Sequence, residues 1–235
     1  MQSILYKDSI AINDHISVRI PTVGEIIDRE DEYYGLVSML TATPYDMMVG
    51  LDDIGIDFET ISDYELFLIL FRIYFSDKDV SLVFGDLDLS GFYPDVNPQN
   101  GMIVLRDENS EAVIDRAIYE GICQALRRIH NIKRESKKPA NAETKKYMIE
   151  RARKKLSRRK GGGPELEGLI VALVNTEQFH YGFKETLGLT IYQFNESARQ
   201  IISKVNFDNL MHGVYSGTVS MNDLKEEELN WLTHK

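Results

Sequence analysis

Residues 127–160 hold fifteen Lys or Arg against three acids, Glu135, Glu143 and Glu150, a surplus of twelve positive charges. The whole chain sums to −10, so everything outside that block carries −22. The block is also poor in large apolar residues. Its candidate helix, about 142–159, has only Tyr147, Met148, Ile149 and Leu156, too few to seat it fully in a core. The core must therefore be built from the segments on either side, and the block itself must be solvated or meet negative charge. Nucleic acid, an acidic partner and the chain's own acidic surface all have the right sign.

Those flanking segments are well able to fold. With 235 residues, 43% of them apolar and 27% charged, the composition is globular and not that of a disordered chain. No apolar run approaches the ~18 to 20 residues that span a bilayer, and the longest candidate, 66–71, stops at Arg72, so no membrane partner is expected. Residues 1–8 lack the layout of a secretory signal. Cys123 is the only cysteine, which excludes an intramolecular disulfide and zinc sites built on several thiolates, and makes a reducing, cytoplasmic setting the expectation.

Local patterns predict an α+β chain, predominantly α-helical, with helical modules and a small β-hairpin or sheet in the N-terminal half. Ile10 and Ile12, then Ile16, Val18 and Ile20, alternate around Asn13-Asp14-His15 as a hairpin does. Thr22 with Glu25 and Ser62 with Glu65 have capping-box spacing. The first starts a helical stretch to about Thr41, interrupted near Arg29; the second starts a core helix carrying Leu66, Phe67, Leu70, Phe71 and Tyr74. A short helix is predicted over 45–54, ended by Gly55. Residues 81–84 and 101–105 read as strands separated by a Gly-, Pro- and Asp-rich segment. Asp115 is a candidate N-cap for a helix to about His130.

Residues 133–142 read as a linker, and Gly161-Gly162-Gly163 before Pro164 as a flexible hinge. Three parts are thus expected: an N-terminal α+β module over 1–131, a basic linker and helix over 132–163, and a C-terminal helical module over 164–235. In the last, Leu166 to Val174 form one apolar stripe, Ile191 to Ile202 a second, and Phe207 to Tyr215 a third, short helix. Trp231 has no apolar run of its own and must pack back on the body.

Motifs for chemistry are absent. The triple glycine lacks the spacing of a phosphate loop. Asp86 and Asp88 share one face of an extended strand but read as a solvent-exposed edge. The five histidines, His15, His130, His180, His212 and His234, show no metal-ligand spacing, and Cys123 reads as buried and inert. The chain is accordingly expected to be no enzyme and to need no cofactor or metal.

Three C-terminal phrases, Leu169-Ile-Val-Ala-Leu-Val-Asn175, Thr190-Ile-Tyr-Gln-Phe-Asn-Glu-Ser197 and Leu210-Met-His-Gly-Val-Tyr-Ser-Gly217, with Leu229-Asn-Trp-Leu232, resemble a group of phage and prophage proteins of Gram-positive hosts. Upstream, Tyr33-Tyr-Gly-Leu-Val-Ser-Met-Leu40, Thr43-Pro-Tyr-Asp46 and Asp63-Tyr-Glu-Leu-Phe67 are similar to the same group. The group lies among genes for virion structure and tail assembly and resembles siphophage tail assembly chaperones. That resemblance implies a non-enzymatic protein of the host cytoplasm that binds a tape-measure or tail-tube protein. The alternatives are a nucleic-acid-binding protein using the basic helix, and a structural component of the virion. Expected contact residues are Arg151, Lys154, Lys155, Arg158 and Arg159 on the basic helix, and Tyr192, Phe194 and Tyr215 toward the C-terminus. Oligomeric state is left open.

Overall fold

The structure, a computed structural model, describes residues 3–75, 77–135, 137–158 and 165–232, without the side chains of Glu226 and Glu227. The hinge glycines, Pro164, Arg159 and His234 lie outside these residues. The chain is α+β and mainly helical, with both antiparallel sheets in its N-terminal half.

β1 (Ser9–Ala11) pairs with β2 (Ser17–Arg19), placing Ile10 opposite Val18. The Asn13 side chain closes the turn by accepting from the His15 and Ile16 amides. The Thr22–Glu25 capping box opens α1 (Val23–Ile27), and after a break at Asp28 and Arg29 α2 runs from Glu30–Thr41. α3 (Met48–Asp53) ends near Gly55, whose φ of 74° is cheap only without a Cβ. The Ser62–Glu65 capping box opens α4 (Asp63–Leu70), which passes into one wide π-helical turn, Phe71–Phe75, burying Phe71 and Phe75.

α5 (Ser81–Phe84) follows, then the sheet β3 (Phe92–Val96), β4 (Ile103–Asp107) and β5 (Val113–Ile114) in that order. α6 (Arg116–His130) is capped by Asp115, which accepts from the Ile118 amide, and ends at left-handed Asn131. α6 is the axis of the core: Tyr119 stacks on Phe67 of α4 with centroids 4.5 Å apart, and its hydroxyl donates to the Leu40 carbonyl of α2.

Beyond α6 come α7 (Ala142–Arg158), α8 (Glu165–Val174), α9 (Phe183–Leu187) and α10 (Ile191–Tyr215). The buried cluster takes Ile149 from α7, Leu166, Ile170 and Leu173 from α8, and Ile191, Phe194 and Ala198 from α10. Backbone bonds join the C-terminal part to α1: Val23 donates to the Leu189 carbonyl at 2.9 Å and Ile191 to that of Pro21 at 2.8 Å. The Glu30 carboxylate accepts from the amides of Glu165 and Leu166 at the start of α8, where free amides and the helix dipole favour an anion.

Three expectations are corrected. Residues 81–84 are not a strand but α5, one helical turn with Leu82, Val83 and Phe84 buried; the partner of β4 is β3, an edge strand whose Pro94 weakens its strand pattern in the sequence. Asp86 and Asp88 are exposed as expected but do not belong to a strand: Asp86 lies in the turn after α5, and Asp88, on extended backbone outside any strand, caps the 3-10 turn Leu89–Gly91 by accepting from Ser90. The stripes read as two helices over 191–202 and 207–215 are the single helix α10.

Candidate functional site

α7 is two-faced. Asn141 starts it by accepting from the Thr144 amide at 2.8 Å. One face lies on the body through Ile149, with Met148 and Ala152 packed beside it. At the edges of that face Lys145 forms ion pairs with Asp57 and with Glu59, and sits 5.2 Å from the centre of the Phe58 ring. One turn past Ile149, Arg153 reaches Asp53 at 2.7 Å and Asp52 at 2.9 Å. Asp52 and Asp53 stand in the last turn of α3, where the helix dipole disfavours carboxylates, so the guanidinium offsets a local cost. The Lys145 ammonium, with the Glu59 amide, holds Asp57 below the usual carboxylate range.

The opposite face is bare. Tyr147, Arg151, Lys154 and Arg158 follow at steps of four, three and four, which aligns them on one side of the helix. Lys155 stands beside them. Arg151, Lys154, Lys155 and Arg158 are exposed, and among the described residues none of the four forms an ion pair; Tyr147 is 62% exposed. Arg159 lies outside the described residues.

Two of the arginines preceding α7 are committed within the chain. Arg134 donates twice to the Asp63 carboxylate, at 2.9 and 3.0 Å. Arg127 donates to the Thr41 carbonyl at 2.9 Å and lies 4.0 Å from Asp63. The linker is thereby docked, and Thr43 also donates to the Glu135 carbonyl. A cleft of about 480 Å³ remains between linker, α4 and α6. Its three arginines face acids of their own chain, Arg116 pairing with Glu120. Cys123, at the cleft's base, is 2% exposed and donates to the Leu40 carbonyl; burial pushes its thiol up to about 11, so it is no nucleophile. Among the described residues no group of three or more His, Cys, Asp or Glu is placed to hold a metal ion.

α10 supplies the second surface. Thr190 caps it in a box with Gln193 and bridges to Thr22. Ile191, Phe194 and Ala198 are buried, but past Ala198 no residue of the helix is. Phe194, expected at a contact surface, is instead fully enclosed, edge-on to Phe179 at 6.4 Å; the face it occupies is the one that holds α10 to the body. Tyr192 is half-buried and Tyr215 is 83% exposed. The outer half carries Ile202 and Val205, 53% and 36% exposed, on the continuation of the Phe194 side. Phe207, Leu210, Met211 and Val214 follow on the other side, each half-buried. The chain after α10 folds back here: Val219 donates to the Gly213 carbonyl, and the Trp231 ring lies 5.9 Å from the Lys204 ammonium. A Cβ at Gly213 would stand 2.9 Å from the Val219 side chain, so the close approach needs glycine.

Residues 154–235, from the end of α7 through α10 and the returning tail, match the family model of the YomV second domain; YomV is a Bacillus phage and prophage protein. The match supports a phage-related family. Neither the curated proteins nor the solved structures compared with the chain match it. No helix of the described residues is long and apolar enough to cross a membrane.

Proposed function

We propose that this chain is a non-enzymatic phage or prophage protein that acts in tail assembly by binding another tail protein, in the manner of a tail assembly chaperone. The observation that carries the reading is the outer half of α10. Residues 199–215 include Ile202 and Val205, which are exposed, and Ile201, Phe207, Leu210, Met211 and Val214, which are only half-buried, although the same helix buries Ile191, Phe194 and Ala198 at its start. A helix with this much apolar surface gains by laying it against another helix or into a groove. The surface falls inside the segment that matches a phage-related family, and the acidic remainder of the chain favours solubility at high copy number. A tape-measure or tail-tube protein, exposing apolar surface until it is assembled, is the client this surface fits.

The test is a tagged pull-down from phage-producing cells, with and without nuclease, read by mass spectrometry. Wild-type chain should recover a tail protein in both conditions, and Ile202→Asp with Val205→Asp should not. Equal recovery by the double variant, or recovery of no tail protein, would remove the reading.

A further inference from the structure

We infer that the outward stripe of α7, Arg151, Lys154, Lys155 and Arg158 with Tyr147 at its start, is a binding surface for the phosphate backbone of nucleic acid. The inference is independent of the role given to α10.

Part of the basic block is committed to acids of its own chain. Lys145 and Arg153 flank the seated face and are spent on Asp52, Asp53, Asp57 and Glu59, and Arg134 is spent on Asp63. If the block served only to neutralise its own chain, the outward positions would have no reason to be basic. Yet they hold four exposed cations at steps of three, one and three residues, unpaired among the described residues. The two residues that follow in sequence, Arg159 and Lys160, are basic as well.

Geometry favours a regular polyanion. From Arg151 to Arg158 the helix advances about 10 Å, along which each strand of a duplex presents about three phosphates at one per ~3.4 Å. The acids beneath α7 do not oppose the approach. They lie across a helix some 10–12 Å wide with its side chains, which exceeds the ~8 Å Debye length at physiological ionic strength. The chain's charge of −10 instead confines the contact to this stripe.

An acidic protein partner fits less well. Protein interfaces are anchored on an apolar or aromatic centre with charges at the rim, whereas here Tyr147 is the one aromatic residue and Leu156, 54% exposed, lies on the seated side, two turns from Ile149. A polar, strongly positive surface is the character of interfaces with nucleic acid. The single ring provides for contact with the backbone and little base stacking, so the binding is expected to be indifferent to sequence.

Fluorescence anisotropy of a labelled short duplex DNA, titrated with the full chain between about 50 and 200 mM salt, tests this; four phosphate contacts give a log–log slope of about −3.6. The Arg151→Glu/Lys154→Glu variant should lose about tenfold or more in affinity at the lower salt, and Arg151→Gln/Lys154→Gln should fall between it and wild type. The control variant Arg72→Glu/Lys184→Glu changes the net charge equally at exposed sites on other elements, and should lose less than about twofold. All three alter exposed side chains, and circular dichroism verifies their folding. No saturable binding, a slope near zero, or equal loss in the control would overturn the inference. So would a stripe that ignores DNA while Arg151→Glu/Lys154→Glu drops a protein from the pull-down, which would make α7 a docking face for an acidic protein. Since the α10 variants are separate, either surface can fail alone.

Discussion

The Tyr33 hydroxyl and the His130 Nε2 lie 2.9 Å apart, joining the first turn of α2 to the end of α6 across 97 residues of sequence. The Tyr33 ring is fully enclosed and His130 is half-buried, with Tyr34 edge-on to the imidazole at 5.9 Å. Burial lowers His130 to about 4 from an ordinary value of 6.5 and raises Tyr33. The neutral imidazole and the hydroxyl share one hydrogen bond. Because His130 is harder to protonate when folded, the unfolded state binds the extra proton between about pH 6.5 and 4, and stability falls as pH drops through that window. Wild-type chain should lose about 2 kcal/mol between pH 7 and pH 5 beyond what His130→Gln loses, and the difference should level off below about pH 4. Urea unfolding at the two pH values checks this; parallel pH curves would refute it.

Phe67 and Tyr119 stack at 19° between α4 and α6, both almost fully buried. Phe67→Ala should destabilise by about 3–5 kcal/mol through lost transfer energy and the cavity left behind. Tyr119→Phe should cost only about 1 kcal/mol, since it removes one hydrogen bond and leaves the Leu40 carbonyl its Cys123 donor. Denaturant midpoints with unchanged slopes would show that stability alone has altered.

Arg153 and its two aspartates are each about half exposed, so solvent and salt screen the pairs. Arg153→Ala should leave the global unfolding midpoint nearly unchanged. Amide exchange along residues 142–158 should nevertheless quicken by about threefold or more, while α6 is unaffected, because α7 has Ile149 as its sole buried anchor. Added salt should act on the wild type in the same direction.

Cys123 should be invisible to thiol reagents in the folded state. Its thiol is both enclosed and raised to about 11, so Ellman's reagent should release no chromophore from native protein and react fully in concentrated guanidinium chloride. Rapid reaction of native chain would mean that the α2–α6 contact opens readily.

Thr190 both caps α10 and bridges to Thr22. Thr190→Ala should cost about 1 kcal/mol, with the loss of exchange protection concentrated at the start of α10 and in residues 189–191. Uniform loss across the chain would show that the C-terminal helices unfold only with the rest.

By itself the sequence determined the features whose causes are local. The two capping boxes, the Asp115 cap, the Asn13 turn and the left-handed Gly55 all stand where residue spacing put them, because each is made by groups within three or four positions of one another. Composition likewise located the basic block. What the tertiary structure decided were the features whose partners are distant. Four apolar residues at 81–84 have no period that separates a strand from a helical turn, and burial among other elements made them helix. The apolar stripe of α10 changes sides near Val205, since its first half meets the core and its second the returning tail, so one helix read as two. Which cations of α7 are spent and which face outward depended on acids some ninety to a hundred residues away, Asp52, Asp53 and Asp57, being folded beneath it. Charge is written in the sequence, but whether a charge is compensated is a property of distance, and distance between remote residues exists only once the chain has folded.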